Sequence, residues 1–145
     1  MGELYETDVF EWSRHQAELL RRHAGGERLN ERPDWTNIIE EVESVGRSEL
    51  GSVETLWTQA FLHDLKAQAW PDARDVENWL AEARLFRRQA RRKYRPSMRQ
   101  YLDVPGLYAD ALVGLPKTMY GKEPLPVPRT STISIDDLLR EDDVC

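Results

Sequence analysis

Three carboxylates and one histidine lie in or beside one predicted helix and have the side-chain types that acid–base chemistry uses. They are Glu40, Glu43, Glu49 and His63. Glu40 and Glu43 are three residues apart and share a helix face, where two carboxylates can bind a cation or act as an acid–base pair. Glu49 falls near the middle of an apolar face, and a buried carboxylate needs a partner or a ligand. These residues form the candidate binding or buried polar site, and they would line the pocket of a carboxylate-based hydrolase.

Each of these residues also has a purely structural interpretation, which we favour. Glu40 and Glu43 are then a solvated helix face, and Glu49 pairs inside the protein with an arginine from another helix, such as Arg84 or Arg88. His63 lies fourteen residues after Glu49. That separation is about 21 Å along a straight helix, so the two cannot share a metal ion.

The sequence offers little support for a metal, a cofactor or a nucleophile. It has three histidines and one cysteine, Cys145, and no acidic residue precedes a histidine by three positions, as in the metal sites of helical bundles. It also lacks the Gly-x-Ser-x-Gly pattern of serine hydrolases and a glycine loop that could hold phosphate. We therefore predict no metal and no cofactor.

A second candidate site is a strongly basic segment that contains no acid. Its seven cations are Arg84, Arg87, Arg88, Arg91, Arg92, Lys93 and Arg95. The chain has 20 cations and 26 acids, so the remainder carries 13 cations against 26 acids. Arg84, Arg88, Arg91 and Arg95 share one helix face and are candidates for contact with an anion or nucleic acid, with Tyr94 available to stack on a base. Because the net charge is −6, we favour a face that complements acidic helices of the same fold or of a second subunit.

Three long helices are predicted to position these residues, at about 8–23, 35–69 and 75–94. Asp8 and Asp34 are suitable N-caps, and Gly25 and Pro71 mark the ends of the first and second helices. The second helix has an apolar face that we expect to be buried. Its members are Trp35, Ile38, Ile39, Val42, Val45, Gly46, Val53, Leu56, Trp57 and Ala60.

Because of two glycines, the sequence does not decide whether the second helix is continuous. Gly46 and Gly51 each lower helix stability by roughly 1 kcal/mol relative to alanine, so a kink or break between them is an alternative to a continuous helix. Such small residues also allow another helix to approach closely.

The C-terminal part should add short helices and an extended segment. Short helices are predicted at 97–102, from 105 to about 116, and at 135–140, where Ser134 and Asp137 resemble a capping box. Residues 122–129 contain three prolines and should be extended, and the acidic end 141–145 should fray. We therefore predict one all-α domain over 1–145, a helical bundle built on the three long helices.

The composition indicates in which kind of environment the protein folds. Of its 145 residues 32% are charged and 40% hydrophobic, which is typical of a globular chain. No apolar run approaches the roughly 20 residues that span a bilayer, and the single cysteine excludes an intramolecular disulfide. We expect a cytoplasmic protein that does not associate with membranes.

Several short motifs together resemble a known family. They are the segment 38–49, the segment 61–66 (Phe-Leu-His-Asp-Leu-Lys), Trp79 with Arg88-Gln89, the segments 95–99 and 108–111, and the segment 132–139. In this order they resemble the bacterial family called domain of unknown function twenty-nine. The resemblance implies a small helical domain with no assigned activity. The sequence departs from the family pattern at Asp64 and Ala67, and at Pro105 and Pro116 in the late helix.

The sequence thus favours a non-enzymatic interaction or regulatory module of a bacterium. A protein partner or self-association is expected, and a homodimer is a hypothesis because long helices with glycine on one face often pair. Nucleic-acid binding through 84–95 is the alternative, and the carboxylate-based hydrolase is a weaker one.

Overall fold

The computed structural model describes residues 2–140, and within that range it contains helices and no β-strand. The elements are α1 (Gly2–Thr7), α2 (Val9–Ala24), α3 (Trp35–Ala69), α4 (Val76–Lys93), a 3-10 helix (Pro96–Tyr101), α5 (Val104–Gly114) and α6 (Ile135–Leu139). The predicted all-α class is confirmed, as are its three long helices, α2, α3 and α4. Helix α1 was not predicted. Among residues 2–140, none of the helices combines the length and apolar character needed to cross a bilayer.

Helix α3 is continuous over 35 residues, so of the predicted alternatives a break between Gly46 and Gly51 is wrong. It begins after Asp34, whose carboxylate accepts the backbone N–H of Asn37, as expected of an N-cap. A Cβ atom added at either glycine would meet no atom within 4 Å. Nothing inside the described chain therefore requires a glycine at either position.

Backbone contacts divide the chain into two compact units, Met1–Ser48 and Glu49–Cys145. In the first unit the buried side chains of α2 are Trp12, Gln16 and Leu19. Polar contacts join α2 and α1 to the start of α3. The Trp12 indole donates to the Asp34 carboxylate at 3.0 Å, and the Gln16 side chain accepts the Asp34 backbone N–H at 2.7 Å. The Tyr5 hydroxyl of α1 donates to Glu41 at 2.5 Å, and this bond raises the pKa of Tyr5.

The second unit contains the main apolar core. Its buried residues are Val53, Trp57, Phe61, Leu65, Ala90, Leu102, Val104, Leu107, Tyr108, Ala111 and Leu138. Trp57 is fully buried, and the ring of Phe61 meets the edge of Tyr108 with centroids 5.5 Å apart. Burial raises the pKa of Tyr108. The second half of α3 supplies four of these side chains, so it is the central element of this unit.

The segment between α5 and α6 contains a tight turn at 119–122, and residues 123–128 form neither helix nor strand; that 122–129 are extended stays a prediction. Hydrogen bonds fix this segment to the helices. The Tyr108 hydroxyl donates to the carbonyl of Pro128 at 2.5 Å, and the backbone N–H of Leu125 donates to the carbonyl of Ala69 at 2.9 Å. At its end, the predicted capping box of Ser134 and Asp137 is present and begins α6. The single domain over 1–145 stays a prediction, and the predicted fraying of 141–145 lies outside the described residues.

Candidate functional site

Glu49 is exposed, so the prediction of a buried carboxylate at the centre of the fold is wrong. Among the described residues it makes no hydrogen bond or ion pair, and neither Arg84 nor Arg88 is its partner. Val45, which precedes Glu49 on this apolar face, is 64% exposed, so among the described residues the face is uncovered up to this level of α3. A carboxylate in water needs no partner, and Glu49 therefore shows no sign of being a ligand or a base.

Glu40 and Glu43 form a surface ion-pair cluster with Arg47. The Arg47 guanidinium lies 2.5 Å from the Glu40 carboxylate and 3.9 Å from that of Glu43, and all three side chains are more than half exposed. Exposed pairs of this kind contribute about 1 kcal/mol or less to stability. The two carboxylates are thus partners of one arginine on a solvated face, which gives no support to an acid–base pair.

His63 belongs to the second unit, where it links α3 to α4. Its side chain is 12% exposed, its Nδ1 donates to the carbonyl of Gln59 at 2.7 Å, and its Nε2 lies 2.8 Å from the carboxylate of Glu82. The ring also packs against Phe86, with centroids 5.2 Å apart. Because both ring nitrogens already have partners, neither is available to bind a metal ion or to accept a proton from a substrate.

A second polar link lies one residue further along α3. The Arg87 guanidinium donates to the Asp64 carboxylate at 2.7 Å, and both side chains are largely shielded from water. Sequence reasoning had noted Asp64 as a departure from the family pattern but had not found its partner. No local signal in the sequence identifies this partner, because the pairing depends on the register between α3 and α4. This pair, with His63 and Glu82, fixes the relative positions of α3 and α4.

The predicted residues are therefore not brought together into one site. Glu49 and His63 stand fourteen positions apart on a continuous helix, about 21 Å along its axis. Glu40 and Glu43 lie in the first unit. Within residues 2–140, no three His, Cys, Asp or Glu side chains gather where they could hold a metal ion.

The basic face of α4 is only partly available to a ligand. Arg84 and Arg88 are exposed and make no ion pair with a described residue, whereas Arg91 is half-buried. Arg95 turns back and donates to the carbonyls of Arg92 and Tyr94, both at 2.9 Å. Tyr94 is partly buried and packs against the Trp57 ring, with centroids 5.9 Å apart, so that side of its ring is not free to stack on a base.

The surface that sequence reasoning missed is the first part of α3. We call it the α3 stripe, and it consists of Trp35, Ile39, Val42, Val45 and Gly46. Its four large side chains are 41%, 54%, 68% and 64% exposed, in chain order. These residues were expected to be buried because they continue the face of Val53 and Trp57. In the first unit, however, α1 and α2 bond to a different side of α3, through Asp34 and Glu41.

Comparisons with known proteins agree with the motifs. A family model described as a domain of unknown function, DUF29, matches residues 4–143. The chain is also similar to an α-helical protein of unknown function from Rhodospirillum rubrum whose crystal structure is known. The identity is 25% and the TM-score 0.62, over 95% of this chain and 90% of that one. Among curated proteins none matches. Since the family model covers nearly the whole sequence, the chain belongs to the DUF29 family.

Proposed function

We propose that the protein is a non-enzymatic interaction module that pairs with a second copy of itself through the α3 stripe. The observation that carries the proposal is the exposure of four large apolar side chains in one helical row, at Trp35, Ile39, Val42 and Val45. Contiguous apolar surface with a polar rim is typical of protein-interaction sites. Its rim is polar here, with Glu40, Glu43 and Arg47 alongside.

The area of the stripe suits a reversible dimer. Burying the exposed half of each large side chain contributes about 1 kcal/mol, so eight such side chains in two copies contribute about 8 kcal/mol. Association costs several kcal/mol in lost freedom of motion. With an association cost of about 4 kcal/mol, about 4 kcal/mol remains, so we expect a weak dimer that dissociates in roughly the millimolar range.

The residues of the stripe are self-complementary if the two copies of α3 run antiparallel. A two-fold axis beside Ser44 sets Val42 of each copy opposite Gly46 of the other, since both lie two positions from the axis. The valine side chain then enters the space that the glycine leaves free, which explains a glycine that nothing in the described chain requires.

The same axis brings opposite charges together. Arg47 lies three positions after Ser44. In the antiparallel pair it therefore lies opposite position 41 of the second copy, with Glu40 and Glu43 on either side of that position. The two-fold rotation keeps Arg47 and these carboxylates on the same side of the interface. The arginine that pairs with Glu40 and Glu43 within one chain can therefore also pair with them across the dimer.

Sedimentation equilibrium over a range of concentrations tests the proposal. The wild-type mass should rise toward two chains, and Val42→Glu should abolish the rise because it places two carboxylates in the interface. At about 1.4 kcal/mol or more per copy, the dissociation constant should increase by roughly 100-fold. Val113→Glu is the matched control, because Val113 is an apolar residue of α5 that is 86% exposed. A wild-type protein that stays monomeric at millimolar concentration, or an equal effect of both variants, would contradict the proposal.

Nucleic-acid binding through α4 is a second candidate function. It is favoured by the exposure of Arg84 and Arg88, which make no ion pair with a described residue. Affinity for a labelled DNA duplex should then fall steeply between low and physiological salt, and Arg84→Glu with Arg88→Glu should weaken it further. Binding that is absent at low salt, or insensitive to both changes, would exclude this function.

A further inference from the structure

A cleft of about 450 Å³ lies in the second unit, beside the loop between α3 and α4. This volume is within the range of sites that hold small molecules. One wall is formed by the residues after α3 and the other by the segment that follows α5. The lining residues that matter for its chemistry are Trp70, Asp72, Arg74, Tyr120, Lys122, Glu123 and Leu125.

The shape of the cleft depends on a tight turn at Met119–Lys122. The backbone N–H of each of these two residues donates to the carbonyl of the other, at 3.0 and 2.9 Å. Both central residues have positive φ, 55° at Tyr120 and 72° at Gly121. This is the type I′ pattern, in which the first central position favours Asn, Asp or Gly. A tyrosine there is strained, and such strain is concentrated at functional sites.

The side chain of Tyr120 is held where it forms a wall of the cleft. Its hydroxyl donates to the carboxylate of Asp75, and the Arg74 guanidinium lies over its ring, 5.5 Å from the centroid. These contacts offset the backbone strain. The Arg74 side chain is itself 84% exposed, and its carboxylate neighbour Asp75, 3.9 Å away, is already bonded to Tyr120.

The opposite part of the cleft has an apolar and equally fixed surface. The Trp70 indole donates to the carbonyl of Lys122 at 3.1 Å, and Leu125 is tied by its N–H to Ala69 at 2.9 Å. Trp70 is almost fully buried, while Leu125 remains half exposed to the cleft side of the segment. The apolar surface is therefore formed before any ligand binds, which lowers the entropy lost on binding.

The charged residues of the lining come in matched pairs. The loop after α3 contributes Asp72 and Arg74, and the turn contributes Lys122 and Glu123. Among the described residues, Asp72, Lys122 and Glu123 make no ion pair. A ligand with only one sign of charge would gain from one member of each pair and be repelled by the other. A zwitterion can use both.

We propose that this cleft binds a small zwitterion with an apolar or aromatic side chain, a molecule of the α-amino-acid type. Its carboxylate would pair with Arg74 and Lys122, its ammonium group with Asp72 and Glu123, and its side chain would lie against the apolar wall. The proposal is independent of dimer formation through the α3 stripe.

Nuclear magnetic resonance titration with three probes tests the proposal, with the indole N–H signal of Trp70 as the reporter. The probes are L-phenylalanine, 3-phenylpropionate, which lacks the ammonium group, and phenethylamine, which lacks the carboxylate. L-Phenylalanine should shift the signal and bind at least about tenfold more tightly than either analogue. Absence of any shift with L-phenylalanine, or equal affinity for 3-phenylpropionate, would overturn the proposal.

Variants separate binding from folding. Lys122→Ala should weaken binding of L-phenylalanine by about tenfold, whereas Lys117→Ala, an exposed lysine outside the cleft, should not. Tyr120→Asn removes the aromatic wall but places a residue that the turn favours, so the protein should stay folded and lose binding. Undiminished binding in both cleft variants, with an otherwise unchanged spectrum, would place the ligand elsewhere and overturn the proposal.

Discussion

Replacing Asp34 should destabilise the first unit more than any exposed acidic substitution, because one carboxylate satisfies three donors. It accepts the Trp12 indole N–H at 3.0 Å, the Asn37 side-chain amide at 2.8 Å, and the backbone N–H of Asn37. Trp12 is 4% exposed, so in Asp34→Ala its N–H stays buried without a partner.

The magnitude follows from these contacts. An unsatisfied buried donor costs about 1–3 kcal/mol. Loss of the N-cap of α3 costs about 1 kcal/mol more. The free energy of unfolding should therefore fall by about 2–4 kcal/mol. In urea, with a slope of about 2 kcal/mol per molar, the middle of the usual range, the unfolding midpoint should fall by about 1–2 M.

Urea unfolding followed by tryptophan fluorescence measures this change, since Trp12 itself reports on the site. Asp34→Asn keeps an N-capping oxygen and should lose much less stability. Asp110→Ala, an exposed acid of α5 without hydrogen bonds to described residues, is the matched control. If Asp34→Ala unfolds within about 0.5 kcal/mol of the wild type, the three bonds do not stabilise the unit and the reasoning is wrong.

The same carboxylate gives a pH dependence. Hydrogen bonds from Asn37 and Trp12 lower the pKa of Asp34. A lowered folded-state pKa contributes stability above the unfolded-state pKa, about 3.9, and that stability is lost as the pH falls through the folded-state pKa. The difference in unfolding free energy between wild type and Asp34→Asn should therefore shrink as the pH falls below about 4. A difference that stays constant from neutral pH to pH 3 would contradict this origin.

Four further substitutions test other parts of the structure. Gly46→Ala and Gly51→Ala should each raise the stability of the monomer by about 1 kcal/mol, since their Cβ atoms meet nothing. Only Gly46→Ala should weaken self-association, and equal association of both variants would argue against the proposed register. His63→Ala should lower the free energy of unfolding by about 2 kcal/mol because it breaks two contacts of a shielded ring. A loss below about 0.5 kcal/mol would show that the ring does not link the helices. Tyr108→Phe should increase amide hydrogen exchange at 122–129 by removing the bond to Pro128, and unchanged exchange would contradict this role.

The sequence was sufficient to predict the helices because their signals are local. Four signals define helix ends through contacts between residues that are close in sequence. They are Asp8, Asp34, the capping box at Ser134 and the proline after α3. The apolar period of α3 was equally clear, and the helix has the predicted ends, 35 and 69.

What covers each helix face was not predictable, because it depends on contacts between distant segments. Val42 and Trp57 belong to one apolar face, yet one is 68% exposed and the other fully buried. The period of the sequence shows that a helix face is apolar, but it does not show which other segment packs against that face. The predicted burial of Glu49 was wrong for this reason. The partners of His63 and Asp64 on α4 were missed because their pairing requires the register between two helices.

A charge-exchange experiment tests most directly whether two copies pair through antiparallel α3 helices. Glu43→Arg places like charges opposite Arg47 of the second copy, and Arg47→Glu places like charges opposite Glu40 and Glu43. Each variant alone should therefore dimerise about tenfold more weakly than the wild type. A mixture of the two should form a heterodimer, because Arg47 of the first variant then faces two carboxylates, and the carboxylate introduced at position 47 faces the arginine introduced at position 43.

The measurement is sedimentation equilibrium of each variant alone and of their equimolar mixture, at low salt. Within a single chain the Arg47 cluster is disturbed in both variants, and mixing cannot repair it. Recovery of dimer in the mixture is therefore the predicted result. A mixture that associates no more than its separate components would contradict pairing through the α3 stripe.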